Sequence, residues 1–346
     1  MAPLIFDLRR LALLSLVTGA SGHLGTNLIR TMIKEKRQIR VLLAPNTDLS
    51  AEFDVEKVWG DVRDPKVMKQ ACEGVSTVFH LAAVISITGP KGGLVWDINV
   101  EGVRNCAQAA MNAGIKRFIH VSSIHAYNIY QNSTFTVDES CESASSKQPI
   151  YDQSKSAAEK VLREFIPRGL DVVFVNPTGI IGPYDGANSR MGRLFKDMFT
   201  RRFKVLISDG FNWVDAQDVV AGILSAEAKG RVGENYILAG YWASMADLGG
   251  VADKVAGVKG VLLTVPGWLP YLSVPFFKVM GSIQNKEPLC TMESLHALKA
   301  SRYMSAAKAQ KELGFTARST EASVRAIYED YLNSGLLHQR SLSNGS

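Results

Sequence analysis

Apolar and polar positions fall into repeating blocks along the first half of the chain. Leu11 to Val17 is an apolar run, a glycine-rich turn follows, and Leu24, Leu28, Ile29, Met32 and Ile33 then recur at helical spacing. The pattern predicts strand, tight turn, helix. It continues with an apolar strand at Gln38 to Leu43, a strand from Val55 that ends in Gly60-Asp61, and a helix opened by Pro65. Val75 to Leu81 is a fourth strand, Leu94 to Ala113 a helix stopped by Gly114, and Lys116 to Ser123 a fifth strand. A polar loop, Gln131 to Lys147, precedes a helix marked by Ala157, Ala158, Val161, Leu162 and Phe165, and Leu170 to Val175 is the sixth strand. Such alternation predicts an α/β fold with a Rossmann-type doubly wound parallel sheet over residues 11–177.

Beyond Pro177 the rhythm loosens. Residues 178–336 are expected to form a smaller, mostly helical substrate-binding region. Within it a helix starts at Trp213-Val214-Asp215, and 215–240 returns to the sheet through a strand at Asn235 to Ala239. A last helix spans about Thr320 to Leu332, and the polar tail 337–346 is expected to be disordered.

Composition changes this picture little. With 346 residues, 46% hydrophobic and 21% charged, the chain has ordinary globular proportions, and a net charge of +6 spread in short clusters such as Arg201-Arg202 gives no nucleic-acid surface. Four cysteines without paired spacing point to neither a zinc site nor a disulfide framework, and no metal site is expected. Arg9-Arg10 before an apolar run imitates a secretory signal, but that run is the strand the glycine turn requires, so a cytoplasmic location is expected. The apolar run 265–280 is broken by prolines and too short to span a bilayer; it packs near the substrate pocket or touches a membrane surface.

Candidate chemistry begins at Gly19-Ala20-Ser21-Gly22-His23-Leu24-Gly25. Glycines at a strand-to-helix turn admit close backbone approach, and the N–H groups opening the helix can bind a pyrophosphate, so the expected ligand is a dinucleotide held by Gly19, Ser21, Gly22, His23, Leu24 and Gly25. After the second strand, where an acid would read the adenosine ribose, stands Ala44-Pro45-Asn46-Thr47, with Asp48 too far along. No carboxylate repels a ribose phosphate there, and NADP is expected over NAD, although no arginine replaces the acid and Arg40 points into the sheet. Leu81, Ala82 and Ala83 end the fourth strand with side chains small enough for backbone to pass close to a cofactor, and His80 is expected to be a hydrogen-bonded core histidine.

Tyr151 and Lys155 are four apart in a helical segment and share a face. A phenol ordinarily titrates near pH 10, and a neighbouring ammonium favours the phenolate, which suits proton exchange with an alcohol or ketone. The pair follows the glycine turn, Asp61, the His80-Leu81-Ala82-Ala83 strand end and the Ser122-Ser123 strand end, in the order a single nucleotide fold would use.

In these motifs the chain resembles the extended short-chain dehydrogenase/reductases of the epimerase/dehydratase group, over roughly Leu13 to Leu336. The resemblance implies that Ser123 binds the substrate oxygen, with Ser122 as the alternative, that Tyr151 is the acid/base and Lys155 its activator, and that Asn99 supports a water path to the lysine. It also implies that Asp61 accepts from the adenine amino group with Val62 beside the ring; by its position alone Asp61 could instead cap the following helix. The segment Asn176 to Pro183 resembles the one that, in dihydroflavonol reductases and 3β-hydroxysteroid dehydrogenases, closes over the nicotinamide through Pro177 and Thr178. Ser86, His125, Asn176 and Tyr184 are placed in the substrate pocket, His125 as a wall with no partner to make it a catalyst. Ile124-His125 stands where related dehydratases carry Asp-Glu, which weighs against dehydration. Interconversion of a carbonyl and an alcohol on a largely apolar small molecule is therefore expected. A sugar-nucleotide epimerase with retained NAD, served by Arg190 and Arg193, is the alternative; a non-catalytic dinucleotide-binding regulator is a second. A homodimer is common in the family it resembles.

Overall fold

The computed structural model describes residues 13–338 except 46, 48, 50–52, 131–133, 187–188, 203, 259–262, 270–291 and 298–299. Asp48, Cys290, the signal-like start, most of the 265–280 run and the tail from 339 lie outside the described residues.

Two units form. The first comprises Met1–Thr178, Gln217–Ala239 and Ala300–Thr316. Its strands are β1 (Ser15–Thr18), β2 (Ile39–Leu43), β3 (Glu56–Trp59), β4 (Thr77–His80), β5 (Arg117–Val121), β6 (Val172–Pro177) and β7 (Asn235–Leu238). They make one sheet in the order β7-β6-β5-β4-β1-β2-β3, with every pairing parallel. The inner strands are buried on both faces, as the Val-rich run of β6 anticipates. The strand order reverses beside β1, and a ligand binds beyond the carboxyl ends of the strands at such a switch point. Helices α1 (His23–Lys34), α2 (Pro65–Cys72), α3 (Gly102–Asn112) and α4 (Ile150–Arg163) connect the strands. One sheet face packs Leu16, Phe118 and Phe174 against Val103, Cys106 and Ala107 of α3 and Ala158, Val161 and Leu162 of α4.

The second unit comprises Gly179–Ala216, Gly240–Lys299 and Ala317–Ser346. It is less helical than expected. Gly210–Asp215 pairs parallel with Gly179–Ile181 and antiparallel with Tyr241–Ser244, so Trp213-Val214-Asp215 is strand and the helix begins only at Ala216. Around that sheet the helices Arg190–Phe199, Met245–Val255 and Thr320–Asn333 bury Phe195, Phe199, Leu248, Ile327 and Tyr331. The return of 300–316 to the first unit has no marked signal in the sequence; it is made by a short strand, Tyr303–Met304, alongside Thr136–Val137.

The helix expected over Leu94 to Ala113 is also interrupted. Residues Asp97–Glu101 form a π-helical turn before α3. Such single turns rotate side chains off the α-helical face and recur at functional sites; this one carries Asn99. Among the described residues no helix is long and apolar enough to cross a membrane, and no group of His, Cys, Asp or Glu is arranged to hold a metal ion.

Candidate active site

The turn between β1 and α1 is built for close approach. Gly19 has φ +71°, and a Cβ on it would fall 2.7 Å from the backbone nitrogen of Ala82, so the turn lies directly against the end of β4. A Cβ on Gly25 would fall 2.2 Å from the carbonyl oxygen of Gly19. Gly22 precedes α1 with no side-chain cap and no acid follows in the first turn, which leaves the positive end of the helix dipole open to an anion. These features fit the pyrophosphate of a dinucleotide, with Ser21, Gly22, His23 and Leu24 at the helix entrance. Leu81, Ala82 and Ala83 are partly exposed at the neighbouring strand end, where Ala82 N donates to Thr18 Oγ1 at 3.2 Å.

The reactive side chains meet at the carboxyl end of β5. Ser123 Oγ accepts from the His125 backbone N–H at 3.2 Å and so caps the short turn Ile124–Ala126. The same hydroxyl is a polar neighbour of the Tyr151 phenol from α4. Burial holds the Tyr151 phenol above its ordinary range; the Ser123 hydroxyl pulls it down and the charge of Asp152 pushes it up. Lys155 is buried, and its ammonium donates to the Val121 carbonyl at 3.1 Å. Desolvation pushes it down to about 8, against the pull of Glu159. The His125 ring stands edge-to-face on the Tyr151 ring, with centroids 5.6 Å apart.

The model of the 3-beta hydroxysteroid dehydrogenase/isomerase family matches residues 16–227, which is most of the chain and contains the glycine turn and the serine, tyrosine and lysine just described. The chain belongs to this family. Members are extended short-chain dehydrogenase/reductases, a class of NAD(P)-dependent oxidoreductases. Among relatives, sterol demethylase protein B of Methylococcus capsulatus is 31% identical over 321 residues, covering 89% of this chain and 95% of its own. A putative dihydroflavonol 4-reductase of Synechocystis is 28% identical over 326 residues, covering 92% and 94%. The solved UDP-glucose 4-epimerase of Thermotoga maritima shares the fold, with a TM-score of 0.77 at 18% identity over 93% of this chain and 99% of its own.

Several residues expected at the site in this hydroxysteroid dehydrogenase/isomerase family member stand elsewhere. Asn99 is held by hydrogen bonds within the protein. Its amide bonds both backbone groups of Val84 and the hydroxyl of Ser154, clasping the loop after β4 to α4. Asn176 does not face a substrate: it is fully buried, donates to Ser123 O and Glu159 Oε1, and accepts from Asn235. The Ser86 hydroxyl is engaged within its own loop, with Gly89 O and Thr88 N. Both oxygens of Asp61 are taken by the Arg63 guanidinium, which holds the carboxyl below its usual range. Capping of α2 falls to Asp64, whose carboxylate accepts from Lys66 N. The Val62 side chain enters the core against Gly102 rather than standing beside a ring. Arg40 leaves the ribose end of the sheet and binds Glu56 and the carbonyls of Ala71 and Glu73.

Other residues sit where the strands end. His80 accepts the expected core role, with Nδ1 2.9 Å from Thr18 Oγ1 and burial pushing it down to about 3. Pro177 and Thr178 close β6, and Thr178 N donates to Leu238 O. Ser122 Oγ, just after the end of β5, is buried without a hydrogen-bond partner. Tyr184 belongs to the second unit, at φ +65°, with its N–H on Asp330, and Arg190 and Arg193 open the helix Arg190–Phe199 there.

One supporting network was not visible in the sequence. Glu159 accepts from Asn176 at 2.7 Å and from Asn235 at 2.8 Å, and Asn176 in turn holds the Ser123 carbonyl. Glu159→Ala strands two buried amide donors, so it is expected to lower stability by about 3 kcal/mol. Equilibrium urea unfolding checks this against Glu159→Gln, which retains an acceptor and is expected to lose about half as much.

Proposed function

We propose that the chain is an NADP(H)-preferring carbonyl reductase or alcohol dehydrogenase for a medium-sized, largely apolar molecule. The observation that carries this is the meeting of Ser123, after the end of β5, with Tyr151 of α4, one helical turn before a buried lysine and at the same carboxyl end of the sheet as the glycine turn. The glycine turn would hold the pyrophosphate and Lys155 the nicotinamide ribose hydroxyls. When bound, the nicotinamide supplies or takes up a hydride. The chain's residues manage the oxygen: Ser123 donates to it, and Tyr151 gives it a proton in reduction and removes one in oxidation. A phenol kept neutral by burial suits the reducing direction, in which it acts as the acid.

Relatives named for sterols and dihydroflavonols support an apolar, ring-bearing carbonyl compound. The NADP(H) preference rests on Ala44 and Pro45, which are exposed after β2 and place no carboxylate against a ribose phosphate. NADPH is expected to exceed NADH in kcat/KM by about tenfold, or about 1.4 kcal/mol, measured as cofactor oxidation over a panel of hydrophobic aldehydes, ketones and dihydroflavonols. NAD retained through purification, with no consumption of added NADPH, overturns the proposal in favour of an epimerase.

A further inference from the structure

Beside Tyr151 stands a pair of groups that hydride transfer, as described above, does not use. His125 Nδ1 lies 3.0 Å from Asp152 Oδ1, within ion-pair distance for a protonated imidazole, and makes no in-line hydrogen bond. The other Asp152 oxygen accepts from the Tyr130 hydroxyl at 2.9 Å. Asp152 is 2% exposed, and a carboxylate so deeply placed stays ionised only where charge and hydrogen bonds compensate. Around Asp152 stand the Tyr130 hydroxyl, the first turn of α4, where peptide dipoles favour negative charge, and the His125 ring. Nδ1 is sealed against the protein while the side chain keeps 23% exposure, so the opposite, Nε2 edge is the open one.

The groups facing Tyr151 can be taken element by element. The end of β5 presents Ser123, the turn after it His125, and α4 itself Asp152 and Lys155, with Tyr130 donating to Asp152. Ser123 does not titrate in the working range. Lys155 is buried and tied to the Val121 carbonyl, which leaves it no direct exchange with solvent. His125 is the titratable side chain that touches both the Tyr151 ring and water.

We propose that His125 is a second acid–base residue of this site, held through Nδ1 by Asp152 and passing protons between solvent and Tyr151. The inference rests on the reductase function proposed above. In reduction Tyr151 gives its phenolic proton to the substrate oxygen and is left as phenolate. The Nε2–H bond of the His125 imidazolium then breaks, its proton forms the new O–H bond of Tyr151, directly or through one water, and solvent returns a proton to the neutral imidazole. Oxidation runs the same transfers backwards. No electrons move in this step. Asp152 is the positioning residue: it orients the ring and favours the form with a proton on Nδ1.

The test uses the full chain with reduced cofactor and a carbonyl compound that the unmodified protein reduces, with Tyr151→Phe in parallel. His125→Ala is expected to lower kcat by about 30-fold, with KM and cofactor affinity within about twofold. Exogenous imidazole, entering the space left by the ring, is expected to restore most of the lost rate and to do so with the pH dependence of imidazole itself. His125→Gln keeps polarity without a transferable proton and fills the space, so it is expected to lose as much and to resist rescue. Cofactor binding, read by nicotinamide fluorescence, reports that each variant is folded; if His125→Ala fails that check, the fall in kcat of His125→Gln decides. A rate near that of the unmodified protein in both variants, or a fall that imidazole does not restore while binding holds, overturns the proposal. Its failure is distinct from failure of the reductase function, which would show as no turnover by the unmodified protein or as full turnover by Tyr151→Phe.

Discussion

Tyr151→Phe is expected to lower kcat about a thousandfold while leaving cofactor affinity within a few-fold of the unmodified protein. The substitution removes one oxygen and nothing else. That oxygen neighbours the Ser123 hydroxyl and is the group proposed to exchange a proton with the substrate, and positioned general acids contribute about a hundred- to ten-thousandfold in rate. The edge-to-face packing of the ring on His125 does not depend on the hydroxyl. Single-turnover measurements with pre-bound NADPH isolate the step. A loss confined to kcat, with KM unchanged, identifies an interaction made in the transition state, whereas a rise in KM alone would show that the hydroxyl serves ground-state binding and would remove Tyr151 from the acid–base role.

The same side chains show what the sequence could and could not convey. Strand and helix order came through because the central strands are buried on both faces and must be apolar throughout, as Val172 to Val175 are, while the helices keep one polar side. The nearness of Ser123 to Tyr151 was legible for a similar reason: Ser123 follows the carboxyl end of β5 and Tyr151 opens α4, in a fold whose strand order is strongly constrained. Asp152 was not legible as a partner of His125. An acid in the first turn of a helix reads as an ordinary dipole contact, and only the turn Ile124–Ala126, shaped by the Ser123 cap, brings the imidazole to it. The contacts of Asn99 were not legible because the π turn is invisible to periodicity: a helix drawn straight through Leu94 to Ala113 gives no sign that this amide turns onto Val84 and Ser154. Asn176 misled because an amide at a strand end reads as a pocket group until its partners, Glu159 and Asn235, are brought beside it by elements far along the chain. Strand residues Trp213 to Asp215 misread as helix for want of a period, since three buried residues before an amphipathic helix look like its first turn.

Gly25→Ala is the substitution expected to do most damage to cofactor binding. A methyl group at this position would lie 2.2 Å from the carbonyl oxygen of Gly19 and 2.8 Å from that of Ala20, and both are backbone atoms that cannot swing aside as a side chain would. Relief requires α1 to move away from the turn, but Leu28, Ile29 and Met32 are fully buried on that helix and resist the shift. Overpacking of this kind costs about 3 kcal/mol, and displacement of the helix start also carries its N–H groups off the pyrophosphate position. The expected result is at least a hundredfold weaker binding of NADPH, a lower urea midpoint, and loss of turnover that saturating cofactor only partly recovers. Gly22→Ala is the control: its nearest neighbour would be a single oxygen at 3.3 Å, and the residue has an ordinary extended φ of −76°, so its stability is expected to stay close to that of the unmodified protein. Titration of nicotinamide fluorescence with each variant separates the two causes. If Gly25→Ala unfolds at the original urea concentration and still binds NADPH tightly, the close packing of Gly19 on Gly25 is not what shapes the turn for a dinucleotide.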